Sequence, residues 1–121
     1  MIIYRVVVTI DSQIENKWVD WMQKNHIPTI LQTGCFTRCS MCRIVESANN
    51  SNRVSYVMQY HCNSLDDYVN YRDKIVPELQ KEHAGVYAGR PSASREILEE
   101  VYSLVVSKNW TLSLVPYKKE T

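Results

Sequence analysis

A short pattern occurs twice in the chain. Trp18-Val19-Asp20-Trp21, followed by Pro28 and Leu31-Gln32, is echoed by Tyr68-Val69-Asn70-Tyr71, followed by Pro77 and Leu79-Gln80. Each copy reads as an aromatic-rich amphipathic helix with a proline kink, and each is flanked by runs of strand character. Two right-handed strand–helix–strand halves placed together give a four-stranded antiparallel sheet with both helices on one face. At 121 residues the chain has the length for one such unit, with enough interior to fold without disulfides or a structural metal.

The elements follow from local patterning. In Ile2 to Ile10, β-branched residues dominate and apolar side chains fall on both alternating faces, which predicts a central strand. Asp11 or Ser12 can cap the next helix, whose Ile14, Trp18, Trp21, Met22 and Asn25 share one side. Pro28 disfavours helical geometry at Ile27, so a break or kink is expected there, before a last turn through Leu31 and termination at Gly34. A strand then runs from about Cys35 to Val45, a polar hairpin loop from Glu46 to Asn52, and a return strand from Arg53 to Cys62 with Val54, Tyr56, Met58 and Tyr60 on one face. Ser64 suits the cap of a second helix with a stripe of Leu65, Val69, Arg72, Val76, Leu79 and His83, flanked by Tyr68 and Ile75 and ended by Gly85 or Gly89. Ser94 to Val105 fits either a helix or a strand, and the duplicated topology selects the strand. The fold class is therefore α+β, a ferredoxin-like split βαβ (βαββαβ), over residues 1–105. Residues 106–121 form an extension in which Trp110, Leu112 and Leu114 alternate with Thr111 and Ser113, as an extra strand at a sheet edge or crossing to a partner subunit would.

The balance of charge and of special residues narrows the chemistry. A net charge of +1 gives no long-range field to steer a polyanion, so nucleic acid is not an expected partner. The apolar first ten residues carry Arg5 and stop far short of a membrane span. Four cysteines without a signal peptide point to free thiols in a reducing, cytoplasmic setting. Cys35, Cys39 and Cys42 have the C-x3-C-x2-C spacing of cluster-binding loops. On a strand, however, Cys35 and Cys39 stand about 13 Å apart and Cys42 points to the opposite face. That spacing cannot close around one metal or form a Cys39–Cys42 disulfide. Neither metal nor cofactor is expected, and there is no Gly-rich phosphate loop or Gly-x-Ser-x-Gly nucleophile motif.

Three residues of unusual chemistry fall on or beside the helical stripes. His26 lies just before the kink, His83 beside Leu79, and Arg72 between Val69 and Val76. Each can be a satisfied structural residue, the histidines by hydrogen bonding within the core and the arginine by an internal ion pair. Read functionally, they line a cleft between the helices and the sheet with Tyr4, Trp21 and Asn25. Arg72 would then take an anionic or carbonyl group, Trp21 would stack on an apolar body, and a histidine would exchange protons. His61, next to Cys62 on a strand, reads as a surface residue. Three Trp and eight Tyr against one Phe suit a lined pocket or a subunit interface, where one side of a ring is apolar and its tip is wet.

Trp21-Met22 to His26-Ile27-Pro28, then Thr33-Gly34-Cys35-Phe36-Thr37, Tyr56-Val57-Met58-Gln59-Tyr60 and Asp67-Tyr68 resemble a bacterial family of uncharacterised domains, DUF4286. The resemblance spans roughly residues 1 to 105 and implies a dimeric α/β-barrel type of fold, with no known activity. The chain departs from the family at Ala88 to Ser94 and at Thr29, where an acidic residue is usual. A homodimer is expected independently, because the first strand is apolar on both faces while two helices cover only one. Three functions fit these readings: a homodimeric small-molecule-binding domain, a cofactor-independent enzyme of the dimeric α/β-barrel type (oxygenase, isomerase or decarboxylase), and a purely structural interaction domain.

Overall fold

A computed structural model of the protein describes residues 1–45, 52–75, 92–106 and 114–116. Its main sheet has four antiparallel strands, β1 (Ile2–Asp11), β2 (Arg38–Arg43), β3 (Arg53–Cys62) and β4 (Ser92–Glu99), in the order β2-β3-β1-β4. The expected central strand is central: β1 pairs with β3 from Ile2↔Cys62 to Asp11↔Arg53 and with β4 from Ile2↔Glu99 to Thr9↔Ser92. Placing β3 between β1 and β2 makes each half a split βαβ unit, which is the ferredoxin-like arrangement.

Strand alternation divides the sheet into two unlike faces. Tyr4, Val6, Val8 and Ile10 of β1 lie beside Tyr56, Met58 and Tyr60 of β3, and all seven are buried with Trp18, Met22, Ile30 and Tyr71 from the helices. This is the helix face. The open face carries Ile3, Val7, Val57 and Leu98 around an Arg5–Glu96 ion pair, with Thr9 and Ser55 hydroxyls 2.7 Å apart.

The first helical layer comprises α1 (Glu15–Trp21), a π-helical turn (Met22–His26) and α2 (Ile27–Gln32). No break occurs at Pro28. Ile27 keeps right-handed helical angles, and its N–H reaches back five residues to the Met22 carbonyl. Winding in one extra residue ahead of Pro28 lets the helix absorb a residue that has no N–H to donate. Thr29 closes the same region by donating its hydroxyl to the Asn25 carbonyl at 2.6 Å. Gly34, at φ +79°, ends the helix in the left-handed conformation, and its N–H donates to Leu31 O at 3.2 Å.

Asp11 does not cap this layer. Its side chain makes no cap hydrogen bond and faces Arg53 at 3.8 Å instead, because β1 runs through Asp11 and leaves it paired across the ladder. Ser64 does cap α3 (Leu65–Asn70), accepting the Asp67 N–H at 3.2 Å. Ser64→Ala is expected to cost about 1 kcal/mol, read as a lower urea midpoint. An unchanged midpoint would show that the cap does not stabilise the fold.

A second π-helical turn (Tyr71–Ile75) follows α3, so the sequence echo is also a structural one. The turn begins immediately after the aromatic-x-x-aromatic motif in the first half and at its last residue, Tyr71, in the second. Gly85, Gly89 and the rest of the expected second helix lie outside the described residues, as does the loop over residues 46–51. The expected strand from Cys35 is shorter, since Cys35 and Phe36 turn into the core before β2 begins at Arg38. The ambiguous stretch is strand β4, and after it β5 (Leu104–Val106) pairs with β6 (Leu114–Pro116) in a separate two-stranded sheet. The tail strand thus joins β5 rather than an edge of the main sheet. Trp110 and Leu112 lie outside the described residues.

Candidate functional site

Five aromatic side chains meet at one end of the helix face. Tyr4 has ring centroids at 5.3 Å from Tyr68, 5.8 Å from Tyr60 and Tyr71, and 6.1 Å from Phe36. Phe36 meets Tyr71 edge-on at 4.8 Å and Tyr60 at 5.3 Å. The geometry follows from register and helix phase. Tyr4 and Tyr60 are ladder partners, Gly34 turns Phe36 beneath them, and Tyr68 and Tyr71 sit three residues apart on one side of the second helix. Burial raises the pKa of Tyr4, Tyr60 and Tyr71, so these phenols stay protonated and serve as hydrogen-bond donors. Cys39 sits next to the group against Tyr60, and burial pushes its thiol up to about 11.

The wall of this cluster on the β4 side is exposed. Ala93, Arg95 and Ile97 project from the helix face of β4, opposite the buried Val8, Val6 and Tyr4, yet all three are exposed. The Arg95 guanidinium lies close enough to oppose, for both Tyr4 and Tyr71, the larger rise in pKa that burial causes. An exposed cation therefore stands beside a buried aromatic floor. Asn70 adds an amide on the other side, its Nδ2 at 3.6 Å from Cys35 Sγ.

The six residues expected from sequence to line a cleft do not all gather here. Tyr4 is at the centre of the cluster. Trp21 and His26 form a separate stacked pair at 5.0 Å across the first π-helical turn. Asn25 is exposed on that turn and contributes its carbonyl to Thr29. Arg72 does not face the sheet; it is exposed and paired with its neighbour Asp73 at 2.8 Å. The reason is helix phase: Tyr68 and Tyr71 take the buried side over Tyr4 and Phe36, which turns Arg72 outward and leaves Leu65 exposed. His83 lies outside the described residues.

Sequence reasoning passed over Arg95. Its signal was the alternation Ala93-x-Arg95-x-Ile97, which sets one cation on the apolar side of a strand. It also misread His61, which is buried on the open face with Nε2 lacking a hydrogen-bond partner, rather than exposed.

Two other groups have mainly local roles. Glu15 accepts from the Tyr56 hydroxyl and from Arg43 Nε at 2.8 Å, and these bonds lower its pKa. Cys39 and Cys42 project from opposite faces of β2, toward ladder partners Tyr60 and Val57. Among the described residues no three His, Cys, Asp or Glu side chains converge as metal ligands, and no helix is long and apolar enough to cross a membrane.

Solved structures share this fold at low sequence identity. An ethyl tert-butyl ether d (EthD) family protein from Bacillus halodurans matches with TM-score 0.59 and 14% identity, covering 84% of this chain and 100% of its own. HapK from Hahella chejuensis matches with TM-score 0.64 and 10% identity, covering 88% of this chain and 99% of its own. A dimeric ferredoxin-like protein from an uncultured marine organism matches with TM-score 0.54 and 11% identity, covering 83% of this chain and 95% of its own. A search of curated proteins found no match. Residues 1–101 match the family described as "Domain of unknown function (DUF4286)", and the chain belongs to that family.

Proposed function

We propose that the protein is a homodimeric small-molecule-binding domain, with its ligand held between the sheet and the second helix at the tyrosine cluster. The observation that supports this reading is an exposed cation, Arg95, on the helix face of β4 next to the strand positions that carry the buried tyrosine cluster. A fully structural core would put an apolar side chain at such a position.

The dimer contact is the open face of the sheet. Ile3, Val7, Val57 and Leu98 give it an apolar centre that no helix of the described residues covers. The dimeric ferredoxin-like neighbour supports this reading through shared fold alone.

Light scattering at micromolar concentration is expected to return twice the mass of the 14.1 kDa chain. Native mass spectrometry of protein purified from its own host is expected to find a small molecule bound, one per subunit. A monomeric mass refutes the dimer. Protein that is empty in native spectra and gains no thermal stability from any member of a broad metabolite library refutes the binding function.

A further inference from the structure

Beyond β4 the chain leaves apolar surface in the open. Val101 is 87% exposed and Tyr102 72%, and Leu104, Val105 and Val106 of β5 are exposed as well. Alternation sends Leu104 and Val106 to one side of β5 and Val105 to the other, so the strand is apolar on both faces. β5 and β6 have three residues each, and a two-stranded sheet of that size is marginal by itself in water. Both strands lie beyond residue 101, where the family match ends.

The position of this segment points to what covers it. β4 ends beside Ile2, with the Glu100 N–H donating to Met1 O at 3.0 Å, so the segment leaves the sheet at the end that carries Ile3 and Leu98 of the open face. It therefore starts at the margin of the dimer contact proposed above. That face is four strands wide, and at the length of β4 it covers roughly 500 Å2 in outline. A stable interface buries about 800 Å2 per partner. The exposed side chains from Val101 to Val106 make up the difference when they lie on the same partner.

Charge selects the orientation. Two sheets packed in alignment about a two-fold axis parallel to their strands lay β4 of each over β2 of the other, with the same ends together. Glu100, next after β4, continues the alternation of Glu96 and Leu98 on the open face, and Arg38 opens β2 in the row of His61, Ile3 and Leu98. Both charged residues are exposed. This axis sets Glu100 of one subunit over Arg38 of the partner subunit, once in each direction. An axis perpendicular to the strands stacks β4 on β4 and sends each Glu100 to the far end of the partner's sheet.

We infer that Val101–Val106 is a docking arm for a second copy of this chain, laid past the end of the partner's β2 and anchored by Glu100 against Arg38 of the partner subunit. The inference rests on the homodimer proposed above and adds how the two sheets are oriented and what holds them.

The test is sedimentation equilibrium on the full chain, as wild type, as Tyr102→Ser with Val105→Thr, as Glu100→Arg, as Arg38→Glu and as the double charge swap. The arm variant is expected to weaken association about tenfold or more, with its far-ultraviolet spectrum unchanged because both residues are exposed. Each single charge reversal is expected to weaken association several-fold, and Glu100→Arg combined with Arg38→Glu to recover most of that loss. A photoreactive phenylalanine at position 102, in a mixture of isotope-labelled and unlabelled protein, is expected to join labelled chains to unlabelled ones. An arm variant that dimerises as wild type does, or cross-links confined to single chains or to a different protein, overturns the arm and leaves the open-face dimer standing. Charge reversals that do not compensate each other overturn the orientation. A monomeric wild type removes the dimer, and this inference falls with it.

Discussion

Raising the pH through about 10 is expected to unfold the protein in one cooperative step. Tyr4, Tyr60 and Tyr71 are buried, and desolvation raises each phenol above its ordinary value of 10.0. The Cys39 thiol is pushed by burial from 9.0 to about 11. A group whose folded pKa is raised contributes stability that is complete below its unfolded value and is lost as the pH climbs through the folded value. The thiol's contribution therefore begins to fade near 9.0 and those of the phenols near 10.0. Above that point the unfolded chain ionises freely, and each phenol still protonated in the fold costs about 1.4 kcal/mol per pH unit. Tyr60 and Tyr71 alone remove up to about 3 kcal/mol per pH unit above that point, a large share of the roughly 5–15 kcal/mol that holds a domain together. Tyrosinate absorbance and far-ultraviolet ellipticity, followed on the same samples, should change together. A smooth titration of the tyrosines with ellipticity intact would show that the cluster is open to water.

Trp18→Ala is expected to be the most destabilising single substitution in the first half of the chain. Trp18 is 0% exposed, and its ring lies 5.3 Å from Tyr56 of β3, joining α1 to the centre of the sheet. Truncation removes that contact and leaves a cavity bounded by a ladder and a helix that cannot readily collapse into it. The expected cost is about 3–5 kcal/mol, enough to leave much of the protein unfolded on mild warming. Trp18→Phe retains part of the volume and should recover about half of the loss. Trp21→Ala should cost less, because that ring is only half-buried. Urea midpoints for the three variants check the order, and a Trp18→Ala protein that melts within a few degrees of wild type would contradict this account of the core.

The strands could be read from the sequence because alternation has a fixed period of two. Ile2–Asp11 and Arg53–Cys62 each bury alternate residues, and the same rule placed Cys39 and Cys42 on opposite sides of β2. Gly34 and Ser64 were legible because a left-handed end and an N-cap each demand particular residue types. Helix phase was legible in the first helix, where Trp18 and Met22 of the expected stripe are buried, but not in the second. The stripe built from Leu65 counted aliphatic residues, whereas Tyr4 of the sheet and Phe36 of the turn before β2 already fill the space beneath, and the larger rings of Tyr68 and Tyr71 take that side. Arg72 went with the wrong stripe as a result. The candidate site was therefore half visible: Tyr4 was found from the strand, while Arg95 lies on a strand whose alternation is weak and whose existence rested on topology.

The paired π-helical turns bear on how this chain should be aligned with others. Each adds one residue inside a helix, and one residue corresponds to about 100° of rotation. A homologous sequence that has straight helices would match this one only if a single-residue gap were opened within the helix, after Trp21 in the first half and after Asn70 in the second. Gaps confined to loops would instead slide every downstream helical position onto the wrong face. Substitution profiles built on such an alignment would then mix buried positions with exposed ones, and a conserved contact in the second half of either helix would be averaged away.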